Sequence, residues 1–594
     1  MRRLVYALAA SAAWSLFAPA LAAGAEAPRA RIDGELDSSL REAIARAVGE
    51  TDRPIQNRFE ARRRAREAGE DAIAVLRSEG YYAYEVEPVV GEGDAPTPVI
   101  QVTPGPLFTI AAPKIEWLEP APGEAAQAAG DKAMALRLGG PGRAAEVVAA
   151  EGRIVAAVQK QGYADVRAAP REVIVDHADH TVRPTFRIEA GDLVRLDGIE
   201  LITHGRTRKR WLDKLATWKP GDAYDPDDVA ELERRLLDTG VYDSVTVALA
   251  PKQKAQADGR RPIIVSLADR DKRTLELGAS YSTSEGAGLD GSWTRYNVLG
   301  RADTLAAVIR ASDIDSKVGL NLSLPHWRRA QQTLKIGGSA YNDRTSAYDE
   351  TGVGLSADVT RRFGKTSFLT LGASVDLSRT IEKQTATLST LGRNLAIFTG
   401  LGVLSLDRSN DPLNPTRGWR LETRAEPTLL AGEGALPYLK VQSQATAYLP
   451  LTKTARTVLA GRLKLGTTVG GSIPEVPASR RFYAGGGGSV RGYAYQAVGP
   501  RLADNTPQGG LSLLEASAEV RQKVADKWAV VAFLDAGAVG TDRFPAGKDL
   551  SAGAGLGVRY DLGFAPVRAD IAVPLDKRRG DSGFQIYLSI GQSF

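Results

Sequence analysis

The sequence contains no cysteine among its 594 residues, and it has only four histidines. The missing cysteines exclude disulfide bonds, thiolate metal sites and cysteine nucleophiles. Neither sign of charge is in marked excess, because 76 lysines and arginines stand against 71 aspartates and glutamates. A net charge of +5 on a chain of this length does not indicate nucleic-acid binding, for which a concentrated basic surface is typical.

Sequence motifs of common enzymes are also missing. The chain has no G-x-S-x-G elbow, no H-E-x-x-H pair and no P-loop. Its only close histidine pair, His177 and His180, lies in a polar turn, where a solvated hairpin is expected rather than a metal site. We therefore predict a protein that is not an enzyme and that needs neither a cofactor nor a metal.

Long hydrophobic runs are confined to the amino-terminal end. Two arginines precede an apolar run at residues 4–17, and Pro19 and a series of small residues follow. This order is typical of a secretory signal peptide, which we predict at residues 1–25. The alternative is an uncleaved membrane anchor, since residues 4–25 could nearly span a bilayer.

A repeated pattern occupies the first half of the remaining chain. Three helical runs end at Gly80, Gly162 and Gly240, about 80 residues apart, and a strand, a polar turn and a return strand follow each one. Glycine suits these places because the chain enters the left-handed region at a helix C-cap. We predict three α+β modules in strand–helix–helix–strand–strand order, at residues 26–105, 106–190 and 191–269. Their exposed sheet edges could accept a guest strand, although three rigid spacers are an equally open interpretation.

From residue 270 the helical pattern gives way to alternation with a period of two. Residues 369–377 alternate apolar with small or polar side chains, and residues 419–426 place four charges on one face. This pattern is typical of a barrel with a wet lumen and a lipid-facing exterior. At about 10 residues per strand and 10 per connection, residues 270–594 would make roughly 16 antiparallel strands. The fold class predicted is thus α+β modules followed by an all-β transmembrane barrel.

Three motifs lie within the predicted barrel. The first is a run of four glycines from Gly485 followed by Ser489-Val490-Arg491-Gly492-Tyr493, and the second is Phe533-Leu534-Asp535-Ala536-Gly537. The third, residues 407–419, reads D-R-S-N-D-P-L-N-P-T-R-G-W and is similar to a D-x-R-x-x-P-x-x-P-T-x-G turn before a strand. With these motifs, the chain resembles the outer-membrane assembly-factor superfamily (BamA/TamA/FhaC-like), over essentially all of the mature sequence. The N-terminal modules resemble that family's polypeptide-transport-associated (POTRA) modules, and their number is closest to its TamA members.

The resemblance implies roles for particular residues. In the family, the VRG(F/Y) loop folds back into the lumen and its arginine meets acidic groups on the wall. Carried over, Arg491 would pair with Asp535, and Glu519 would be a second partner. The residues implied for this latch are Val490, Arg491, Gly492, Tyr493, Glu519, Phe533, Asp535 and Gly537. One guanidinium can hold two carboxylates through planar, charge-assisted hydrogen bonds, which a lysine cannot reproduce.

The resemblance also implies a function at the barrel seam. In the family, the first and last barrel strands pair weakly, so a client strand can pair with the exposed edge. Here these strands would be residues 274–283 and 584–594. The seam and carboxy-terminal signal residues implied are Leu275, Leu277, Tyr281, Ile586, Leu588, Ile590 and Phe594.

The partners expected from the resemblance are outer-membrane lipid, unfolded outer-membrane protein clients such as autotransporters, and an inner-membrane-anchored TamB-like protein. The barrel would lie in the bacterial outer membrane and the modules in the periplasm. The main alternative is a two-partner secretion transporter that passes an unfolded polypeptide through the lumen. Such transporters usually begin with a plug helix and a linker before two modules, whereas the first module here starts within a few residues of the predicted cleavage site.

Overall fold

A computed structural model describes most of the chain after the predicted signal peptide. The described residues are 27–91, 96–283, 285–364, 366–384, 387–432, 434–545, 550–563 and 566–590. The predicted signal peptide and the predicted signal residue Phe594 lie outside them. The chain forms two compact units: one holds residues up to 198 with 218–229 and 249–262, and the other holds 199–217, 230–248 and all residues from 263.

The amino-terminal part has the α+β composition predicted from the repeats. Within the described residues, each segment contributes one main sheet with helices, in which the last strand lies between an earlier strand and its own hairpin partner. The first segment also has a separate two-stranded sheet of β1 and β3. The elements are β1 (Ala27–Pro28), β2 (Arg31–Asp33), α1 (Ser38–Val48), β3 (Glu50–Thr51), α2 (Arg58–Glu79), β4 (Glu85–Gly91), β5 (Thr97–Thr103), β6 (Thr109–Ile110), β7 (Lys114–Leu118), α3 (Glu124–Met134), α4 (Ala144–Gln159), β8 (Arg167–Asp176), β9 (Thr181–Glu189), β10 (Arg195–Thr203), α5 (Lys209–Leu212), α6 (Pro226–Leu237), β11 (Tyr242–Leu249) and β12 (Arg260–Asp269). The sheet orders are β2-β5-β4, β7-β9-β8 with β6 beside β9, and β10-β12-β11.

The helices of these segments begin and end at residues that supply the missing backbone hydrogen bonds. Asn57 caps α2 by accepting the Glu60 amide at 2.9 Å. The three glycines predicted as C-caps all have positive φ, +97° at Gly80, +99° at Gly162 and +67° at Gly240. Gly80 is the C-cap of α2 as predicted, whereas the C-cap of α4 is Lys160 and Gly162 follows it. No helix in the described part of the chain is long and apolar enough to cross a lipid bilayer.

The carboxy-terminal part is a closed antiparallel barrel. Its described residues form sixteen strands, the number predicted, each hydrogen-bonded to the next in sequence. The strands are β13 (Arg273–Ser282), β14 (Gly286–Tyr296), β15 (Thr304–Ser312), β16 (Asp315–Leu324), β17 (Gln332–Arg344), β18 (Tyr348–Phe363), β19 (Ser367–Lys383), β20 (Thr390–Asp407), β21 (Gly418–Ala431), β22 (Ala435–Pro450), β23 (Thr457–Val469), β24 (Ser512–Lys523), β25 (Trp528–Gly540), β26 (Ser551–Asp561), β27 (Pro566–Pro574) and β28 (Gln585–Ile590). The longest connection between the described barrel strands joins β23 to β24.

The barrel wall has its apolar side outward and its charged side inward. Along β19 the predicted apolar positions Leu371 and Leu377 are 58% and 56% exposed. Along β24 the charged side chains point inward: Glu519 and Arg521 are buried, while Val520 between them is exposed on the outer face. A soluble protein would expose the charges and bury the aliphatic residues, so this pattern identifies a lipid-facing exterior.

Part of the third segment is tied to turns of the barrel within the second compact unit. The Asn297 side-chain amide donates to the Thr207 hydroxyl at 2.9 Å, and that hydroxyl also meets the Tyr242 hydroxyl at 2.8 Å. Arg362 at the end of β18 forms an ion pair with Asp238 at 2.8 Å. These contacts join residues 199–217 and 230–248 to the barrel.

Candidate functional site

The connection between β23 and β24, residues 470–511, is the lumen loop. Although it has almost no regular secondary structure, its apolar side chains are as buried as those of a protein core. They form a cluster with the inner face of two adjacent strands, made of Phe482, Ala484, Val490, Tyr493 and Val498 with Leu513 of β24 and Val539 of β25. Burial of these side chains offsets the entropy lost when so long a loop is ordered.

Arg491 is the central side chain of the lumen loop, and only 2% of it is exposed. Its Nε and Nη2 donate to the two carboxylate oxygens of Asp535 at 2.6 and 2.9 Å, and its backbone amide donates to the same group at 3.1 Å. Its Nη1 lies 2.7 Å from Glu519 Oε1. The structure therefore brings Arg491 together with both carboxylates that the resemblance implied.

A third carboxylate, which the sequence did not indicate, completes the site. Asp570 of β27 lies 3.3 Å from Arg491 Nη1 and also accepts hydrogen bonds from Arg559 of β26. Arg568 lies 3.4 Å from Asp570, and Arg521 lies 2.9 Å from Glu519. The site thus holds four arginines against three carboxylates, all at most 9% exposed. The signal for Asp570 is present in β27, where Arg568 and Asp570 alternate with outward-facing residues.

The remaining motif residues shape the space around Arg491. The Arg491 guanidinium carbon lies 3.4 Å from the centroid of the Phe533 ring, a cation–π contact. A Cβ atom at Gly537 would lie 2.6 Å from Val490 Cγ2, so only glycine lets Val490 pack there. At Gly492 the φ angle is +99°, and a Cβ atom would lie 2.7 Å from the Val573 backbone. Residues of the first motif, on the lumen loop, therefore pack directly against residues of the second motif, on β25.

The four glycines that precede Arg491 form a tight turn against the wall. Their neighbour Ser489 accepts a hydrogen bond from the Gly485 amide and donates one to Glu515 at 2.6 Å. Arg462 of β23 donates to the Gly488 and Ser489 carbonyl oxygens at 2.8 and 2.9 Å. No helix follows the run among the described residues, and the Gly487 amide donates to the Glu285 carboxylate, so the run is a structural turn and not a nucleotide loop.

The other end of the lumen loop is held by strands on a different part of the wall. Arg480 bonds to Glu350 of β18 at 3.0 Å, and Arg481 bonds to Glu382 of β19 at 3.2 Å. Further along, hydrogen bonds from Lys383 and then Thr506 lower the pKa of the exposed Asp504 carboxyl to about 2. The lumen loop is thus attached at β18–β19 and again at β24–β27, and so it crosses the lumen.

Between the first and last strands, the described residues show fewer paired positions than any other neighbouring strands of the barrel. Among the described residues, β13 pairs with β28 only at Tyr281–Leu588 and Ser282–Tyr587, whereas it pairs with β14 along all ten of its residues. Leu275 and Leu277 of β13 are 66% and 79% exposed. At this register the residues opposite Leu275 and Leu277 fall beyond Ile590, outside the described residues.

The predicted seam residues do not converge on the lumen loop. Their side chains lie on the outer face of the barrel, where Tyr281, Ile586 and Leu588 are exposed like Leu275 and Leu277. The Ile590 backbone pairs with Val567 of β27. We therefore describe the seam and the lumen loop as separate sets of residues.

Two other residues join the lumen loop to the two sides of the seam. Tyr587 of β28 is 2% exposed, and its hydroxyl accepts a hydrogen bond from the Gly492 amide at 3.2 Å and lies 3.3 Å from the Tyr493 carbonyl oxygen. On the other side, Glu285 in the turn between β13 and β14 accepts the Gly487 amide at 3.4 Å. Neither residue was predicted from the sequence, because each belongs to no motif.

The third motif is a rigid turn between β20 and β21, away from the lumen loop. Asn410 accepts the amides of Thr416 and Arg417 at 3.0 and 2.9 Å, and Asp411 accepts two further amides of the turn. Arg420 then folds back over Asp407 at 3.2 Å. The spacing of the residues in this motif is thus explained by the hydrogen bonds within one turn.

Metal-binding geometry is not found in the described residues. There, no group of three or more histidine, aspartate or glutamate side chains is arranged to hold a metal ion. His177 and His180 are exposed, and their rings stand edge-on to the Phe108 ring, with centroids 5.3 and 5.2 Å away.

Comparison with known proteins gives a family for the barrel. Residues 297–594 match the model described as "Omp85 superfamily domain". The outer membrane protein assembly factor BamA of Neisseria meningitidis serogroup B is 26% identical over 369 residues, which cover 57% of this chain and 45% of that protein. BamA of Neorickettsia risticii is 21% identical over 425 residues, 68% of this chain and 56% of that protein. The chain thus spans about half the length of the relatives it matches.

A solved structure shares the fold. The crystal structure of BamA from Haemophilus ducreyi lacking POTRA domains 1–3 superposes with a TM-score of 0.69 at 20% identity. The match covers 82% of this chain and all of that one. At this identity the likeness concerns the fold, and it extends beyond the barrel into the α+β part of the chain.

Proposed function

Because the chain belongs to the Omp85 superfamily, we propose that it assists the insertion and folding of other β-barrel proteins by pairing their strands with its own seam. The protein lies in the bacterial outer membrane, with its α+β modules in the periplasm. No covalent chemistry is needed, since the free energy of the client's own folding drives the process. Barrel assembly, which the names of the BamA relatives state, and polypeptide secretion, the alternative left open by the sequence, are both compatible with this architecture, and the seam favours the first.

The single observation that supports this function most strongly is that the described part of the seam has few strand pairs and that the lumen loop contacts both of its sides. Each interior strand pair of the barrel is held over six or more residues, whereas β13 and β28 share two pairs among the described residues. An unpaired strand edge presents a row of backbone donors and acceptors, and it is a template for strand addition. The tendency of such an edge to add a strand is stronger in lipid, because an unpaired backbone group finds no water there to form a hydrogen bond with.

The lumen loop would control access to that edge. Through Tyr587 and Glu285 it contacts the last strand and the first hairpin, and it therefore holds the two sides of the seam near each other. Arg491 fixes the loop against β24, β25 and β27. We infer that displacement of the loop loosens the seam, and that a client strand then pairs with the edge of β13.

At a finer level we propose a TamA-like factor with autotransporters among its clients. Three strand–helix–helix–strand–strand modules, with the boundaries 26–105, 106–190 and 191–269, support this assignment, and a signal peptide at residues 1–25 would direct export. The partner proposed for these modules is an inner-membrane-anchored protein of the TamB type. The two-partner secretion transporter is the competing function, and it would need a polypeptide to pass the lumen that the loop crosses.

A reversible lock on the seam tests the proposed function. Tyr281→Cys with Leu588→Cys places two cysteines at directly paired positions, within the Cα separation that a disulfide spans. The chain has no cysteine of its own, so no other disulfide can form. We expect the oxidised protein, reconstituted in vesicles, to stop assembling a β-barrel client into a protease-resistant form. A reducing agent should restore assembly.

The matched control places the same bond inside the sheet. Leu289→Cys with Ala311→Cys pairs two outward positions of β14 and β15, and this lock should leave assembly unchanged in both redox states. If the seam-locked protein assembles clients as fast as the reduced one, the seam is not the site of strand exchange. Loss of secretion of an unfolded exoprotein in the absence of any assembly defect would favour the transporter instead.

A further inference from the structure

A basic face on α2 of the first module has no role in the function proposed above. Within its first nine residues, the helix exposes Arg58, Phe59, Arg62, Arg63 and Arg66. At 3.6 residues per turn these positions fall on one side of the helix. The other side of this part of the helix carries Ala68 and Ala72, which pack in the module's core. We call the exposed side the basic face.

The arginines of the basic face are arranged against the electrostatics of the helix. Arg58, Arg62 and Arg66 follow one another at intervals of four residues, and like charges at this spacing repel. They also lie near the amino-terminal end, where the helix dipole favours carboxylates. The acidic residue of the first turn, Glu60, is bound to the buried Arg64. The helix therefore accepts an unfavourable arrangement of positive charge that a negative partner would relieve.

Few of these charges are neutralised within the module. Arg63 forms an ion pair with Glu67 at 2.8 Å. Arg58, Arg62 and Arg66 have no ion pair or side-chain hydrogen bond among the residues that the structure describes. Three guanidinium groups along about 12 Å of helix are thus available to an external partner.

Phe59 indicates what kind of partner fits. Its ring is 81% exposed, among the most exposed of the large apolar side chains described, and arginines surround it. Phenylalanine and arginine are both common in protein interfaces, but such an interface also buries a core of several apolar side chains. The basic face has one aromatic ring among four arginines and so lacks that core. At a bilayer surface, by contrast, an aromatic ring enters the headgroup region while arginines remain at the phosphates.

We propose that the basic face of α2 binds the surface of an anionic phospholipid bilayer. The contact is peripheral and salt-dependent, because it rests on several exposed charges and one inserted ring. It holds the first module at a membrane surface through residues that the barrel and its seam do not use. A failure of the strand-exchange mechanism would leave this proposal intact.

Binding to vesicles of defined charge tests the proposal with the full-length protein. The protein is held in discs of neutral phosphatidylcholine, and its binding to separate vesicles with or without phosphatidylglycerol is measured by co-flotation. We expect binding only to the charged vesicles and a loss of binding at high salt. The Arg58→Ser, Arg62→Ser, Arg66→Ser variant should bind on the order of 100-fold more weakly, since each arginine near an anionic surface contributes about fivefold.

A matched variant removes the same number of exposed charges elsewhere in the amino-terminal unit. Arg46→Ser, Lys132→Ser, Arg137→Ser should change the affinity by no more than about twofold, because charges away from the contact are screened. A label on Phe59→Cys should report transfer to an apolar environment when charged vesicles are added. Equal binding by the two triple variants, or no binding to charged vesicles, would overturn the proposal. Soluble polyglutamate bound as tightly as the vesicles would overturn it in favour of an acidic protein.

Discussion

At the scale of single residues, the site is organised by one guanidinium. Arg491 contacts Asp535, Glu519 and Asp570 from the centre of the lumen loop, with almost no exposed surface. The planar fork of an arginine can serve several carboxylates at once, and a lysine ammonium cannot match the two-point contact with Asp535. The site therefore depends on the shape of this side chain as well as on its charge.

Loss of Arg491 should destabilise the barrel more than loss of any exposed arginine. Arg491→Ala leaves buried carboxylates without their shared partner, and removal of one member of a buried ion cluster costs about 3–5 kcal/mol. Arg491→Lys should fall between the wild type and the alanine variant. Denaturant unfolding in detergent micelles measures the free energy, and Arg456→Ala, in an exposed turn, is the control. Equal stability of Arg491→Ala and the control would show that the buried cluster contributes nothing.

The contrast between Asp535 and Asp570 shows how far the sequence can lead at this scale. Asp535 lies in a motif, so the resemblance to a known family was enough to propose it as a partner of Arg491. Asp570 lies in no motif, and it meets Arg491 only because β25, β26 and β27 have one particular register. Register in a barrel depends on all the strands together, and alternation in one strand indicates the face but not the neighbour.

At the scale of elements, the strands and helices follow closely from local sequence. The first barrel strand was predicted at residues 274–283 and runs over Arg273–Ser282. Period-two alternation over long strands and glycines at helix ends are strong local signals. The lumen loop is different, because its conformation depends on anchors from β18, β19 and β24–β27 that lie far away in sequence. No local pattern could have predicted its path across the lumen.

The repeated C-cap glycines should differ in their tolerance of alanine. Left-handed backbone costs a residue with a side chain roughly 1–2 kcal/mol, so both Gly80→Ala and Gly240→Ala should destabilise their helices. A Cβ atom at Gly80 would also lie 3.2 Å from the Gly142 backbone, whereas nothing lies within 4 Å of one at Gly240. Hydrogen exchange of the adjacent helix amides should therefore increase more in Gly80→Ala. The opposite order would contradict the packing described for Gly80.

At the scale of the whole molecule, the sequence distinguished the barrel from the modules. It did not predict where one compact unit ends and the other begins. Near residue 270 the helical sequence pattern gives way to the period-two alternation of strands. The structure nevertheless groups residues 199–217 and 230–248 with the barrel, through contacts such as Arg362–Asp238. Such tertiary contacts depend on which surfaces meet, and composition does not report them.

This division predicts different results for two truncations. Removal of residues 28–190 should leave a stable barrel that inserts but assembles clients poorly. Removal of residues 28–269 should in addition lower the thermal stability of the barrel, because Asn297 and Arg362 lose their partners. Heat-dependent migration in gels measures stability, and folded client in the outer membrane measures function. Normal client levels with both truncations would show that the modules are dispensable.

The most direct measurement of the central claim is a cross-link between the β13 edge and a client strand. A single cysteine replaces Leu277, which is 79% exposed on β13, or Leu289, which is 65% exposed on β14 with partner strands on both sides. A stalled β-barrel client carries its own cysteine in its carboxy-terminal strand. We predict a disulfide adduct with Leu277→Cys and little with Leu289→Cys. Equal adducts at the two positions, or none at Leu277→Cys while the client assembles normally, would contradict strand pairing at the seam.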